Sequence, residues 1–116
     1  FIHVHAFPYS PRPGTAAARW TEQFIHGPVV GERLHRLQQV SLDQSLLFRR
    51  QFLNQEVEII VEQKQAGRAN QHYLRHGRCE RYFDVWLDGS EPVRTGQVAR
   101  ARITEVTEHR TLATCV

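Results

Sequence analysis

The sequence lacks several residues on which whole classes of proteins depend. Its 116 residues include no methionine, and its two cysteines, Cys79 and Cys115, are too few and too far apart for a disulfide framework. We therefore expect a reducing compartment, the cytoplasm. Because the chain has no methionine to start it, we expect it to be a segment of a longer protein. No apolar run approaches the roughly 20 residues of a membrane span, so we expect no membrane partner.

Lysine is nearly absent as well. Of the 15 basic residues, Lys64 is the one lysine and the rest are arginines, and the formal net charge is +3. The planar guanidinium of arginine binds phosphate through two parallel hydrogen bonds and also stacks on bases. An arginine-rich sequence can equally reflect a GC-rich genome. The charge alone therefore leaves nucleic-acid binding and a plain solvated surface as open alternatives.

Motifs for catalysis and for metal binding are missing too. There is no GxSxG, Walker A, GxGxxG or HExxH pattern, so we predict no catalytic residue in this chain. The His3-x-His5 pair offers only two ligands. The group formed by His72, His76 and Cys79 has no CxxC partner. We therefore predict no metal site.

The residues that are present divide the chain into three segments. Residues 1–26 begin with a strand-like apolar alternation and continue into a proline-rich loop, Pro8 to Thr15. Residues 27–54 have helical spacing, with Pro28 at the start and Asn54 as a stop signal. Residues 55–116 alternate with a period of two, with a loop at 63–72. The pattern predicts a mostly β fold with one long helix (α+β), in which four or five short antiparallel strands form a small closed barrel or a sandwich.

The first segment is expected to behave unusually. Its alternation has apolar groups on both faces, which is typical of a strand buried inside a parallel sheet. Such a strand without neighbours has exposed edges. We therefore expect self-association of the chain through residues 1–9, or fraying there.

The most informative pattern combines arginine with aromatic residues on a β-surface. Period-two alternation places Tyr82 and Trp86 on one face of a strand, and Phe83, Val85 and Leu87 on the other, which is the more apolar and should be the core. Single-stranded RNA binds to β-surfaces through stacking on aromatic rings and a positive groove. The predicted RNA-binding residues are Arg78, Arg81, Tyr82, Trp86, Arg100 and Arg102. The alternative is that the rings are simply core residues.

The arginines of the helix are interpreted differently. The long helix is expected to be mainly a packing element. Its polar side, with Arg33, Arg36, Arg49 and Arg50, is predicted to be a solvated face.

Four stretches resemble one protein family. The loop Phe7–Ala17 is similar to a loop near the end of the catalytic barrel in radical-SAM methylthiotransferases. The run Val30-x-Glu32-Arg33-Leu34-x-Arg36-Leu37 resembles the helix that leads out of that barrel. Gly77–Phe83 and Val98–Val106 resemble the C-terminal TRAM domain. The chain thus resembles the C-terminal part of an MtaB/MiaB-like tRNA methylthiotransferase.

The resemblance implies a domain division and an activity for the intact enzyme. Residues 1–26 would be a remnant strand and loop of the radical-SAM barrel, which is TIM-like, 27–54 the exit helix and 55–116 a TRAM-type RNA-binding barrel. The intact enzyme would insert a 2-methylthio group into N6-threonylcarbamoyladenosine next to the anticodon, using S-adenosylmethionine and two [4Fe–4S] clusters. Arg12 would contact S-adenosylmethionine or the substrate in that enzyme.

The chain itself is expected to bind RNA without the catalytic activity of the intact enzyme. The CxxxCxxC cluster signature of the family is absent, so the resemblance implies a non-catalytic fragment that holds no cofactor and binds the anticodon region of tRNA. The alternative function is a stand-alone OB-like module that binds single-stranded nucleic acid. A protein-interaction domain is the third class, and it would show no salt-dependent RNA binding.

Overall fold

The computed structural model describes residues 2–65, 73–89 and 93–116. Within these ranges the regular elements are one α-helix, two short 3₁₀ turns (Ala17–Arg19 and Thr21–Gln23) and five strands. The helix is α1 (Gly27–Arg50), and the strands are β1 (Glu56–Gln65), β2 (Tyr73–Cys79), β3 (Asp84–Gly89), β4 (Val98–Val106) and β5 (Thr111–Cys115). The predicted fold class, mostly β with one long helix, is confirmed.

Helix α1 begins where the sequence predicts and ends slightly earlier. His26 precedes it with an extended backbone, and proline occupies the first turn, where its missing N–H has no partner to lose. The helix ends at Arg50, and the chain turns through Asn54, whose φ is 65°. The Asn54 N–H donates to the Ile103 carbonyl at 2.8 Å. The stop signal thus turns the chain directly into β1.

The five strands close into a barrel in the order β1-β2-β3-β5-β4. Four of the pairs are antiparallel, but β3 and β5 are parallel, with Trp86 aligned with Leu112. An odd number of strands cannot close with every neighbour antiparallel, so one parallel pair is a topological necessity. The predicted barrel is therefore confirmed, and the expectation that it is antiparallel throughout is corrected at this single seam.

The barrel interior is filled by side chains that alternate along the strands with a period of two. The buried core is made mainly of aliphatic residues from β1, β3, β4 and β5, together with Cys79 of β2, and it includes the predicted inward set Phe83, Val85 and Leu87, of which Phe83 lies just before β3. Phe48, near the end of α1, and Phe52, just after it, pack against the barrel core, with their ring centroids 6.4 and 5.6 Å from that of Phe83. The helix is thereby fixed to the barrel by aromatic packing.

Strands β1 and β2 approach each other unusually closely at Gly77. A Cβ built on Gly77 would lie 2.5 Å from the Ile59 Cγ2 atom and 2.7 Å from the Ile60 carbonyl oxygen. Because one of these neighbours is backbone, it cannot move aside cheaply. Only glycine fits this position of β2.

Two local predictions differ from the structure. The strand predicted at residues 1–7 does not form over the described residues 2–7, because no neighbouring strand pairs with them; instead the Val4 N–H donates to Ser41 Oγ at 3.1 Å and Ile2 packs on the barrel core. The predicted loop at 63–72 is also partly wrong, since β1 continues to Gln65. The rest of that loop, 66–72, lies outside the described residues.

Candidate nucleic-acid interface

A polar groove of about 620 Å³ runs between the N-terminal segment, α1 and the barrel. We call it the central groove. Three elements contribute the side chains that give it its chemistry: the N-terminal segment, the β2–β3 hairpin and the β4–β5 turn. The exposed or half-buried charged and aromatic side chains among them are His3, His5, Arg78, Tyr82, Asp84, Trp86, Glu108, His109 and Arg110. Of the six predicted RNA-binding residues, three therefore line one groove, while Arg81, Arg100 and Arg102 lie outside it.

Tyr82 is displayed by the tight turn between β2 and β3. The turn is closed by hydrogen bonds from the Cys79 N–H to the Phe83 carbonyl (3.1 Å) and from the Tyr82 N–H to the Cys79 carbonyl (2.9 Å). This geometry holds Tyr82 at φ 65°, a left-handed conformation that is strained for a bulky side chain. The ring is 78% exposed. The fold therefore presents an aromatic ring to solvent at a cost in backbone strain.

Trp86 is half-buried and lies against a buried histidine. The rings of Trp86 and His76 meet edge to face with centroids 4.8 Å apart, and His76 is 3% exposed. His76 Nε2 lies 3.5 Å from Asp84 Oδ2 and Nδ1 lies 3.3 Å from Glu62 Oε2, although the Nδ1 contact lacks hydrogen-bond geometry. The imidazole is thus held between two carboxylates and fixes the indole above it.

Arg78 belongs to the same charge cluster. Its guanidinium donates to Asp84 Oδ1 from Nη2 at 3.2 Å and from Nε at 3.3 Å. Glu62 lies at the edge of ion-pair distance, 4.0 Å from Nε. Arg78 lines the central groove as a partly neutralised cation.

The arginines of β4 stand opposite acidic residues of β1. Arg100 and Arg102 are exposed on one face of the strand, as the alternation predicts. The register aligns them with Glu58 and Glu56, at N–O distances of 3.9 and 2.8 Å. The outer face of the β1–β4 pair is therefore a ladder of ion pairs. Exposed pairs of this kind contribute about 0–1 kcal/mol, so a phosphate can displace the carboxylate at modest cost.

Arg81 is paired as well. Its Nε lies 3.8 Å from Glu80 Oε1, and its guanidinium lies 5.7 Å from the centroid of the Phe52 ring. All four predicted RNA-binding arginines thus have acidic neighbours, which the sequence pattern alone did not indicate.

The sequence pattern did not predict two residues that line the central groove, His109 and Arg110. They belong to the β4–β5 turn, which is closed by hydrogen bonds from the Thr107 N–H to the Arg110 carbonyl (2.8 Å) and from the Arg110 N–H to Thr107 Oγ1 (3.2 Å). Arg110 is exposed and has no acidic partner among the described residues. The stretch is polar and turn-like, and no motif distinguishes its arginine from other surface arginines.

Arg49 corrects the prediction of a solvated helix face. It is only 7% exposed, while Arg33, Arg36 and Arg50 are exposed as predicted. Its Nη1 donates to the Thr107 carbonyl at 2.9 Å and to Thr111 Oγ1 at 3.0 Å. Nη2 donates to the Glu108 carbonyl and Nε to Ser45 Oγ, both at 3.3 Å.

The guanidinium of Arg49 therefore ties α1 to the β4–β5 turn. Burial lowers its pKa, and the neighbouring charge of Arg50 lowers it further. It forms no ion pair within the part of the chain that the structure describes. The backbone carbonyls around it supply the compensating hydrogen bonds.

The cysteines and histidines offer no metal centre in the described ranges, where no three His, Cys, Asp or Glu side chains are grouped to hold an ion. His72, one member of the sequence-based group, lies outside those ranges. Cys79 is buried, and burial raises the pKa of its thiol, while Cys115 is exposed.

No helix in the described part of the chain has the length and apolar character needed to cross a membrane.

Arg12 lies apart from the central groove, in the proline-rich loop. It is exposed, and its carbonyl accepts hydrogen bonds from the N–H (3.3 Å) and Oγ1 (2.8 Å) of Thr15. Beside this loop, a second cleft of about 740 Å³ is lined mainly by apolar side chains, among them Trp20 and Phe24. Charged side chains do not line that cleft in the described structure.

The architecture defines a class. A small closed five-stranded barrel, capped by a helix and bearing exposed aromatic and arginine side chains, is an OB/TRAM-like barrel. No family model matches the chain.

Curated relatives identify the family. The chain is 32% identical, over 97% of its length, to the threonylcarbamoyladenosine tRNA methylthiotransferase MtaB of Bacillus subtilis, of which it covers 28%. It is 32% identical over 97% of its length to a tRNA-2-methylthio-N(6)-dimethylallyladenosine synthase of Nocardia farcinica, covering 23% of that protein. With the synthase of that name from Photobacterium profundum, identity is 40% over 88% of the chain and 20% of the relative. The chain belongs to the tRNA methylthiotransferase family and spans about a quarter of the length of these relatives.

Proposed function

We propose that this chain is the C-terminal, tRNA-binding portion of a methylthiotransferase that acts on N6-threonylcarbamoyladenosine next to the anticodon. The observation that carries the proposal is that the exposed Tyr82 ring, the half-buried Trp86 ring and the Arg78 guanidinium line one groove of a small barrel. The Bacillus subtilis relative is named for that nucleoside, whereas the Nocardia farcinica and Photobacterium profundum relatives are named for N(6)-dimethylallyladenosine. We assign residues 1–26 to the end of the catalytic barrel, 27–54 to its exit helix and 55–116 to a TRAM-type barrel.

Binding would divide between two kinds of contact. Arg100, Arg102, Arg78 and Arg81 would exchange their carboxylate partners for RNA phosphates, which positions the RNA without reading its sequence. Tyr82 and Trp86 would stack on unpaired bases. The barrel would thereby hold the anticodon loop in the cytoplasm so that the rest of the enzyme meets the correct adenosine.

We propose that the [4Fe–4S] clusters of the intact enzyme are held outside this chain. A [4Fe–4S] cluster needs three or four thiolates, whereas the chain has two cysteines, one buried in the barrel core and one exposed. The clusters and the methylthio transfer therefore belong to the remainder of the enzyme. Arg12 remains the residue we propose for contact with S-adenosylmethionine or the substrate there, since its exposed guanidinium has no partner among the described residues.

The test is a salt titration of RNA binding. An anticodon stem-loop labelled with a fluorophore is titrated with the chain, and the slope of log affinity against log salt is compared between variants. Arg100→Gln with Arg102→Gln should weaken binding to all sequences alike and flatten the slope by roughly 0.7 to 0.9 for each lost phosphate contact. The matched control is Arg33→Gln with Arg36→Gln on the exposed face of α1, which should leave the slope unchanged.

Two outcomes would overturn the proposal. If the unmodified chain shows no salt-dependent RNA binding, a protein-interaction role replaces it. If the chain binds an unstructured single strand of equal length as tightly as the stem-loop, the alternative function, a stand-alone OB-like module for single-stranded nucleic acid, is favoured instead.

Self-association through residues 1–9 is a further part of the proposal. The Phe7 ring is 82% exposed, and Tyr9 is largely exposed as well. We expect sedimentation velocity to show concentration-dependent association that is lost in the variant Phe7→Ser.

A further inference from the structure

We propose that the central groove seats one unstacked nucleotide of the bound RNA, with its base among the rings of Tyr82, Trp86, His3 and His5 and its phosphate on Arg110. This inference rests on the proposed RNA-binding function and adds the N-terminal segment and the β4–β5 turn to the binding site. Neither element belongs to the site predicted from the sequence.

The size and composition of the groove fit a nucleotide. Its volume of about 620 Å³ lies within the roughly 300–1,000 Å³ that small-ligand sites occupy. Imidazole, phenol and indole rings are the groups on which unstacked RNA bases stack. The groove brings such rings together from three separate stretches of the chain, and the His3 and His5 rings already meet edge to face at 4.2 Å.

The charge distribution points to Arg110 as the phosphate contact. Arg78 forms an ion pair with Asp84. The Arg49 guanidinium donates its hydrogen bonds to backbone carbonyls and to a threonine hydroxyl. Arg110 is the groove arginine whose guanidinium has no partner in the described structure. A phosphate there displaces no ion-paired carboxylate, unlike a phosphate on the β4 ladder, although Asp84 and Glu108 line the same groove.

The groove walls are held in place before any ligand arrives. Hydrogen bonds from Arg49 to the Thr107 and Glu108 carbonyls fix the β4–β5 turn, so the backbone of Arg110 cannot drift away. Tyr82 is held at φ 65° although its exposed ring contributes little packing to the barrel. Strained, exposed positions that serve no packing purpose are typical of binding sites. Rigid walls lower the entropy lost on binding.

The experiment measures stem-loop binding by the full chain with substitutions on the two new walls. Arg110→Gln should flatten the log–log salt slope by roughly 0.7 to 0.9, as expected for one lost phosphate contact. His3→Ala with His5→Ala should weaken binding about five-fold or more with little change in slope, as expected for lost stacking. Arg36→Gln, on the exposed face of α1, is the matched control. Circular dichroism melts check that each variant is folded.

The readout separates this inference from the proposed function. If the unmodified chain fails to bind the stem-loop, the RNA-binding function and the nucleotide site in the central groove are both refuted. If it binds, and the Arg100/Arg102 double variant weakens binding while Arg110→Gln and the double histidine variant match the parent, the RNA lies on the outer face of β4. The groove inference is then overturned and the RNA-binding function stands.

Discussion

Replacing Arg49 with methionine should destabilise the whole chain, because this guanidinium connects α1 to the β4–β5 turn. Methionine keeps most of the buried stem, so the substitution mainly removes hydrogen bonds and opens little cavity. The variant leaves the Thr107 carbonyl and the fully buried Thr111 hydroxyl without their donor. The substitution therefore leaves buried polar groups without a hydrogen-bond partner at one defined place.

The expected magnitude follows from the four contacts. The two short bonds, at 2.9 and 3.0 Å, come from a charged donor, and hydrogen bonds of that kind contribute about 1.5–3 kcal/mol each. The two bonds at 3.3 Å are weaker. Desolvation of the guanidinium, which also lowers its pKa, offsets part of the gain. We expect a loss of about 2–4 kcal/mol in the free energy of unfolding.

Urea unfolding followed by circular dichroism measures this loss. Arg50→Met is the matched control, because Arg50 is the adjacent helical arginine and is exposed; it should change the free energy of unfolding by about 0.5 kcal/mol or less. The reasoning is refuted if Arg49→Met behaves like the control. A lower slope of free energy against urea in the variant would show that the helix had detached before the barrel unfolded.

Further predictions concern Gly77, Tyr82 and the two cysteines. Gly77→Ala should lower the free energy of unfolding by about 1–3 kcal/mol or prevent folding. Gly31→Ala, which has open space around it in α1, should raise the free energy of unfolding by up to about 1 kcal/mol in the same urea assay. Tyr82→Gly should raise the free energy of unfolding by about 1 kcal/mol by relieving its left-handed backbone, yet weaken stem-loop binding in anisotropy titrations; equal binding would exclude a role for the ring. Iodoacetamide should modify Cys115 but not Cys79 in the native chain, as peptide mass spectrometry would show. Because the pKa of Cys79 is raised, the unfolded state loses its thiol proton first, so urea titrations should show stability falling as pH rises above the ordinary thiol range.

The sequence predicts the parts of this fold that depend on local periodicity. Alternation alone identifies Phe83, Val85 and Leu87 as core and the β4 arginines as exposed, because inward and outward positions on a strand follow from its pleat. Proline marks the start of α1 for an equally local reason, whereas the helix ends at Arg50, before the predicted stop at Asn54. Such features need no knowledge of which strands are neighbours.

Features that depend on register or on distant contacts are not predictable in this way. The pairing of Arg100 and Arg102 with β1 glutamates requires the alignment of β1 with β4. The burial of Arg49 requires the turn after β4 to lie over the end of the helix. The strand predicted for residues 1–7 is wrong over its described residues, 2–7, for the same reason, since a strand pattern forms a strand only where a partner edge is present.

The ion-pair ladder changes how the proposed RNA binding by this barrel should be understood. With a net charge of +3 and an acidic neighbour for each predicted arginine, long-range attraction of RNA is weak. Each phosphate contact on the ladder requires one carboxylate to be released, whereas a contact at Arg110 releases none. Stacking on Tyr82 and Trp86 needs no charge. Affinity should therefore rest mainly on the central groove, and the ladder should serve mainly to orient the RNA once the groove has captured it.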